Sequence, residues 1–320
     1  MADKYGRRAR VVVVGSYAVG LVMRTTHIPT RGETVLGRDF ELMDGGKGSN
    51  QAIACARLGA ATTFVAALGA DSYGDAALRL FQHEGVDTSH VRRVDGASTG
   101  AGFIMVDDSG DNAIAVDLGA NRLLTPADID RAEATIARAD VLLTQLEIPA
   151  ETALHAAAVA RLHGVITILN PAPAQALPLK ALADVDIITP NQTEADILTA
   201  GLSTKSLDPA DSLRALGVRT VIMTLGEHGA WIADGGLTTK IPAYRVAALD
   251  TTGAGDAFSA ALAVALGEGV DLSQAVRRAC AAGALSVQVL GTVRSYATRS
   301  ELETFMADAP GTVVESGGIK

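Results

Sequence analysis

Aromatic residues make up only 4% of the 320-residue chain, with a single Trp. A core with so few rings must be built from Ala, Val, Leu and Ile, and the 48% hydrophobic content is ample for that. Cysteine is scarcer still. The two present, Cys55 and Cys280, sit in Ala-rich helical patterns and read as buried thiols rather than a disulfide, which suits a reducing compartment. The six histidines are scattered, with no HxxxH and no Cys/His cluster, so a zinc site is not expected. Basic residues are outnumbered, and the net charge of −9 argues against nucleic acid and membrane surfaces as partners. The charged stretch 1–10 is followed by only four valines, which read as a strand and not as a signal peptide or a membrane span. A cytoplasmic location is the resulting expectation. Familiar site motifs are missing too. Gly45-Gly46-Lys47-Gly48 lacks the spacer and the hydroxyl residue of a P-loop, Gly15 does not open a dinucleotide-binding glycine pattern, and no Gly-x-Ser-x-Gly elbow supports a hydrolase.

What the chain does have is alternation. Its length allows one large α/β domain or two smaller ones. Strands are expected at 11–14, 63–67, 141–145, 165–169, 186–189 and 220–225. Helices are expected at 49–58, 75–84, 126–137, 150–163, 210–216, 256–266 and 272–287. Strand-helix alternation implies a parallel sheet covered by helices on both faces. Segments 19–43 and 100–118 break the alternation and read as paired strands with turns, Asp107-Asp108-Ser109-Gly110-Asp111 being a hairpin signal. No internal repeat is found, and the tail from about 309 to 320 is expected to fray.

The most informative stretch is Leu249-Asp250-Thr251-Thr252-Gly253-Ala254-Gly255-Asp256-Ala257-Phe258. Gly253, Ala254 and Gly255 carry almost no side chain, so their N–H groups can crowd around an anion at a helix N-terminus. Asp256 follows in the first turn. Phosphoryl transfer to an alcohol needs such donors, and a carboxylate to accept the hydroxyl proton. The plainer reading is a common Gly-x-Gly turn with an Asp that only meets the helix dipole.

Near the other end stands Gly45-Gly46-Lys47-Gly48-Ser49-Asn50-Gln51, again entering an Ala-rich helix. Alone it reads as a capped turn. Its glycines could also let backbone approach a polyol, with Lys47 and Asn50 bonding the hydroxyls. Asn191 and Glu194 share a helical face, either as a capping-box pair or as an anion-facing pair. Thr224-Leu225-Gly226-Glu227-His228-Gly229 closes a strand with a Gly-rich turn, and Glu147 stands at another strand end.

The two glycine segments resemble the two signatures of the ribokinase (phosphofructokinase-B-type) carbohydrate kinase family. Between them Asn170-Pro171-Ala172-Pro173-Ala174, Thr189-Pro190-Asn191-Gln192-Thr193-Glu194-Ala195 and Thr224–Gly229 fall in the order seen in its ribokinase subfamily, as does Pro29–Thr34 upstream. The likeness covers nearly the whole chain. It implies a central, mostly parallel α/β sheet with helices on both faces (1–18, 44–99 and 119–320), and a small β lid from 19–43 and 100–118. It implies ATP-dependent, Mg²⁺-requiring transfer of a phosphate to a primary hydroxyl of a small sugar. An anionic protein that binds ATP must then concentrate positive potential locally. Asp256 would be the base, with Gly253, Ala254 and Gly255 around the moving phosphate. Gly46, Lys47, Gly48, Asn50 and Glu147 would hold the acceptor. Asn191, Thr224, Gly226, Gly229 and Gly255 would meet ATP, and Glu194 would act on Mg²⁺ indirectly. Asp250, Thr252, Ser286, Val289, Gly291 and Ser295 match a K⁺ site, and a homodimer formed through the lid is expected.

One departure stands out. Ribokinases follow the first strand with Gly-Ser-x-Asn-x-Asp, whose Asn and Asp hold ribose hydroxyls. Here the segment is Gly15-Ser16-Tyr17-Ala18-Val19-Gly20. Both polar positions are empty, so ribose is not the expected acceptor unless Asp44 or Arg24 compensates. The alternatives are a nucleoside kinase, with room for a base at Ala18 and Gly20, or a catalytically silent sugar-binding regulator. The intact Asp256 argues against the regulator.

Overall fold

The computed structural model describes residues 7–177, 179–200, 212–214 and 216–308. The four valines of β1 (Arg10–Val14) are all buried, because this strand lies in the middle of a nine-stranded sheet. On one side β1 pairs in parallel with β4 (Ala61–Gly69), which pairs with β5 (Asp87–Val94). On the other side β8 (Val141–Thr144), β9 (Ile166–Leu169), β10 (Ile187–Ile188) and β11 (Thr220–Thr224) continue the parallel run. The edge is finished by β12 (Ala230–Asp234) and β13 (Leu237–Ile241), both antiparallel to their neighbours. Gly235 and Gly236, at φ 55° and 86°, make the tight turn between them, a Gly-Gly hairpin signal unused in the sequence reading.

Side chains alternate along a strand, so β1 feeds two cores. Val11 and Val13 join one, and Val12 and Val14 join the other. The first core is covered by α1 (Lys47–Arg57), α2 (Ser72–His83), α6 (Ala254–Gly267), α7 (Leu272–Ser286) and α8 (Arg299–Asp308). The second is covered by α3 (Pro126–Ile136), α4 (Ala150–Leu162) and α5 (Gln192–Thr199). The helix expected over 210–216 lies partly outside the described residues, and the frayed tail expected from 309 lies wholly outside them. Helix α6 is buried almost all round, which explains its Ala-rich sequence. Small side chains let it approach α1 and α7 closely and fill the interior without rings. Cys55 and Cys280 are buried in the same layer as free thiols, and burial pushes the Cys280 thiol up to about 12. Among the described residues no helix is long and apolar enough to cross a membrane.

A separate four-stranded sheet has the order β3 (Arg38–Gly45), β2 (Ala18–Arg24), β6 (Gly100–Val106), β7 (Asn112–Asp117). Its middle strands β2 and β6 are parallel and both edge pairs antiparallel. Asp107 builds the β6–β7 turn by accepting N–H bonds from Ser109 (2.9 Å) and Asp111 (3.0 Å). Buried Asn121 pins the small sheet's root to the large one. Its amide donates to the carbonyls of Tyr17 (2.7 Å) and Leu118 (2.8 Å), and its oxygen accepts from Tyr17 N–H (3.0 Å).

Candidate active site

The expected site residues meet above the C-terminal ends of β1, β8, β9, β10 and β11, where ligands bind in open α/β sheets. Helix α6 begins two residues earlier than the sequence pattern placed it. Gly253 is the N-cap in the left-handed region (φ 79°), and a Cβ there would lie 2.6 Å from Tyr296 Oη. Only glycine suits that position. Ala254 N–H bonds Thr251 O at 3.3 Å, and Asp256 N–H bonds Gly253 O at 3.0 Å. The N–H groups of Gly253 and Gly255 have no partner among the described residues. Gly255 has open space where a side chain would project. Unpaired donors at a helix N-terminus are an anion site.

Asp256 is 4% exposed. Its Oδ2 accepts from Asn50 Nδ2 and its Oδ1 from Gln51 Nε2, both at 2.9 Å. Burial pushes its pKa up, and nearby Glu147 adds to this, while Lys47 and the two amides pull the other way. Asp256 lines the cleft, and the upward shift is in the direction that favours taking a proton.

Helix α1 supplies the second group. Gly46 is its N-cap at φ 90°, where a Cβ would lie 2.7 Å from Tyr17 Cα. A Cβ on Gly48 would lie 2.3 Å from Ser16 N. These two glycines therefore seat the helix against the backbone that follows β1, a packing role the sequence reading had not considered. The Glu147 carboxylate accepts from Ser16 Oγ (2.5 Å) and from Lys47 N–H (2.8 Å), so it sits on the positive end of α1. Asn50 Oδ1 is buried and unpartnered among the described residues.

Across the cleft, Asn191 and Glu194 form the capping box of α5. Asn191 Oδ1 accepts from Glu194 N–H at 2.8 Å, and Glu194 Oε2 accepts from Asn191 N–H at 2.9 Å. Burial raises the Glu194 pKa. Cap and cleft positions coincide, since both residues also line the cleft with Thr224. Gly226 and Gly229 turn the chain after β11 at φ 56° and 91°. Asp250 bridges two loops. Its carboxylate accepts from Thr252 N–H and from Gly291 N–H, each at 2.9 Å. Buried Ser286 ends α7, and the more exposed Val289 and buried Ser295 lie on the segment that follows it and contains Gly291.

Neither compensating residue fills the gap on β2. Asp44 accepts from Tyr17 Oη (2.8 Å), whose ring is buried edge-on against Phe81. Arg24 stands exposed at the outer end of β2, four residues or about 13 Å beyond Gly20. The structure also adds Gln51, Gln145, Ser16 and Asn170, which sequence reasoning had not assigned to the site. All four stand in or beside the motifs, but nothing in their spacing marks them as facing inward.

Comparison with known proteins agrees with this geometry. The pfkB family carbohydrate kinase model matches residues 8–299. The ribokinase of Haemophilus influenzae is 39% identical, over 94% of this chain and 100% of that protein. The deoxyribokinase of Salmonella typhi is 35% identical, over 93% of this chain and 98% of that protein. The structure of Arabidopsis thaliana ribokinase complexed with ribose and ATP superposes with a TM-score of 0.86 at 31% identity, covering 94% of this chain and 99% of that one. With the match running through nearly every element described, the chain belongs to the pfkB family of carbohydrate kinases and is a phosphotransferase with an alcohol group as acceptor.

Proposed function

We propose that this kinase transfers the γ-phosphate of ATP to a primary hydroxyl of a small sugar, with Asp256 as the base. The observation that carries this is the buried Asp256 carboxylate one turn from the unpaired N–H groups of Gly253 and Gly255. Asp256 takes the hydroxyl proton as the acceptor oxygen bonds to the γ-phosphorus and the phosphorus–oxygen bond to the leaving ADP breaks. Gly253, Ala254 and Gly255 stabilise the charge on the moving phosphate. Gly46, Lys47, Gly48, Asn50 and Glu147 hold the acceptor, and Asn191, Thr224, Gly226 and Gly229 the nucleotide. Lys47 is the cation of the cleft, close enough to bias both Asp256 and Glu194. Glu194 keeps one carboxylate oxygen beyond its cap bond, which fits an indirect role toward Mg²⁺. When bound, Mg²⁺ neutralises phosphate charge. Asp250 with oxygens of Thr252, Ser286, Val289, Gly291 and Ser295 forms a hard-donor set fitting K⁺. A silent regulator has no use for a carboxylate buried at this cost.

The small sheet acts as a lid that excludes water from the transfer. Around Ala18 and Gly20 the face turned toward the large domain is short of polar groups, although Glu41 further along it pairs with Arg294. Register sets Gly20 between Met43 and Gly102, with Ala18 beside Gly45 and Gly100. Met43 Cε would lie 2.8 Å from a Cβ on Gly291, which shows where this face points. The acceptor therefore presents an edge poor in hydroxyls, or a bulkier group, to the lid. A nucleoside is the second reading, because a Cβ at Gly20 would meet no atom closer than 3.5 Å. The opposite face exposes Phe40 (57%), Leu42 (51%) and Phe103 (59%) around Leu21. A second copy of the chain covers this face, giving a homodimer. The location is cytoplasmic, where the two buried thiols stay reduced.

Three outcomes are expected. Asp256→Asn lowers kcat by roughly 10²–10⁴ with ATP affinity little changed; near-normal turnover would remove Asp256 from its role. In steady-state assays D-ribose is a poor acceptor beside some other sugar, polyol or nucleoside, and Ala18→Asn with Gly20→Asp raises activity on ribose. If ribose is the best acceptor with kcat/KM above about 10⁵ M⁻¹s⁻¹, the lid face is misread. Light scattering finds a dimer at micromolar protein; a fully active monomer contradicts the lid interface.

A further inference from the structure

Behind Asp256 lies a buried row of amides, of which only Asn170 borders the cleft. Gln51 on α1 and Gln145, which follows β8, are both 0% exposed, and Asn170 is 6% exposed. Gln51 Nε2 donates to Asp256 Oδ1 at 2.9 Å and to Asn170 Oδ1 at 3.1 Å. Gln51 Oε1 accepts from Gln145 Nε2 at 2.5 Å. Asn170 Nδ2 in turn donates to Thr189 O at 3.3 Å.

The orientations of Asn170 and Gln51 are set by their neighbours, while Gln145 Oε1 is buried without a partner among the described residues. The Thr189 carbonyl takes the Asn170 NH₂ end, which turns the Asn170 oxygen toward Gln51. Gln145 presents its NH₂ end to Gln51, which must answer with its oxygen. The Gln51 NH₂ end is then left facing two acceptors, one of them Asp256. A flipped Gln51 would set its oxygen against two other oxygens and its NH₂ end against a donor. Burying a Gln costs free energy unless its bonds are met, so an apolar side chain would serve α1 better if packing were the only demand.

We infer that Gln51, held by Gln145 and Asn170, is a positioning residue that fixes the plane of the Asp256 carboxylate for proton transfer. Asn50 holds Oδ2 and Gln51 holds Oδ1, so the carboxylate cannot rotate about its terminal bond without breaking one of them. Each oxygen keeps a further lone pair for the acceptor hydroxyl. Asn50 lines the expected acceptor side and must also serve the substrate, whereas Gln51 is fully buried and its side chain hydrogen-bonds the carboxylate, Asn170 and Gln145. The inference rests on Asp256 being the base.

Charged and titratable groups near Asp256 are Lys47 on α1, Glu147 after β8, Tyr296 before α8 and Glu194 across the cleft. The Gln51 bond favours the ionised carboxylate. Losing it moves the Asp256 pKa up, and activity that needs the ionised base is then lost at a higher pH as the pH falls.

The test is Gln51→Met, close to Gln in shape, in the full-length protein. The expected result is a kcat lowered on the order of 10-fold to 100-fold, KM for ATP and acceptor changed by less than about 3-fold, and the acid limb of the kcat–pH profile moved to higher pH. Gln145→Met, one bond further from the base, moves the limb the same way by less, and it carries the test if the first variant does not fold. A folded variant with a lower Tm but unchanged kcat and an unmoved acid limb assigns Gln51 to packing alone and overturns the inference. Asp256→Asn separates the two failures. If it is inactive while both Met variants are normal, only the positioning role falls; if it keeps turnover, the base assignment falls with it.

Discussion

Burying one carboxylate, that of Asp256, at the edge of the cleft is the constraint around which the site is arranged. Desolvation works against the charge on Asp256, and the structure sets several opposing forces on it. Two side-chain amides donate to its two oxygens, the Lys47 ammonium lies near, and the residue occupies the first turn of α6, whose N-terminal N–H groups favour negative charge. The residual upward shift is useful, since a base needs affinity for the proton it takes. All but the last of these forces come from outside the Gly-Ala-Gly-Asp segment. The amides come from α1, more than 200 residues earlier in the chain.

Bringing α1 to that distance accounts for much of the surrounding sequence. The helix must start against the backbone after β1, and only glycine at 46 and 48 permits the approach. It must also lie against α6, and alanine along both helices allows the spacing. The scarcity of aromatic residues follows from this layer of close-packed helices. Asn121 holds the root of the small sheet at the same place, against the backbone that follows β1.

Much of this was legible in the chain. The valine run of β1 and the alternation of strands and helices were enough for the sheet, and the family likeness pointed to Asp256, Asn50 and Glu147, which lie close together in the structure. What escaped was set by tertiary contacts. Helix α6 was expected to start at Asp256, yet Gly253 takes the cap because its left-handed backbone fits beside Tyr296. Helix α2 starts at Ser72 rather than 75 because Asp71 accepts the Gly74 N–H. The packing of glycines 46 and 48 against the backbone after β1 leaves no sign in the sequence either. Gln51 and Gln145 look like ordinary polar residues, since a Gln on an Ala-rich helix gives no local sign of facing inward. Their burial depends on which element folds over them. The parallel pairing of β2 with β6 was hidden for the same reason, because strands far apart in sequence leave no mark of register.

The central claim is that Asp256 is buried and held ready to take a proton before any substrate arrives. Carboxyl ¹³C NMR on unliganded protein with labelled aspartate tests it most directly, the Asp256 resonance being identified by its absence in Asp256→Asn. The account predicts that the Asp256 carboxyl titrates above the ordinary value of 3.8. An Asp256 carboxyl that titrates at or below 3.8 would contradict it.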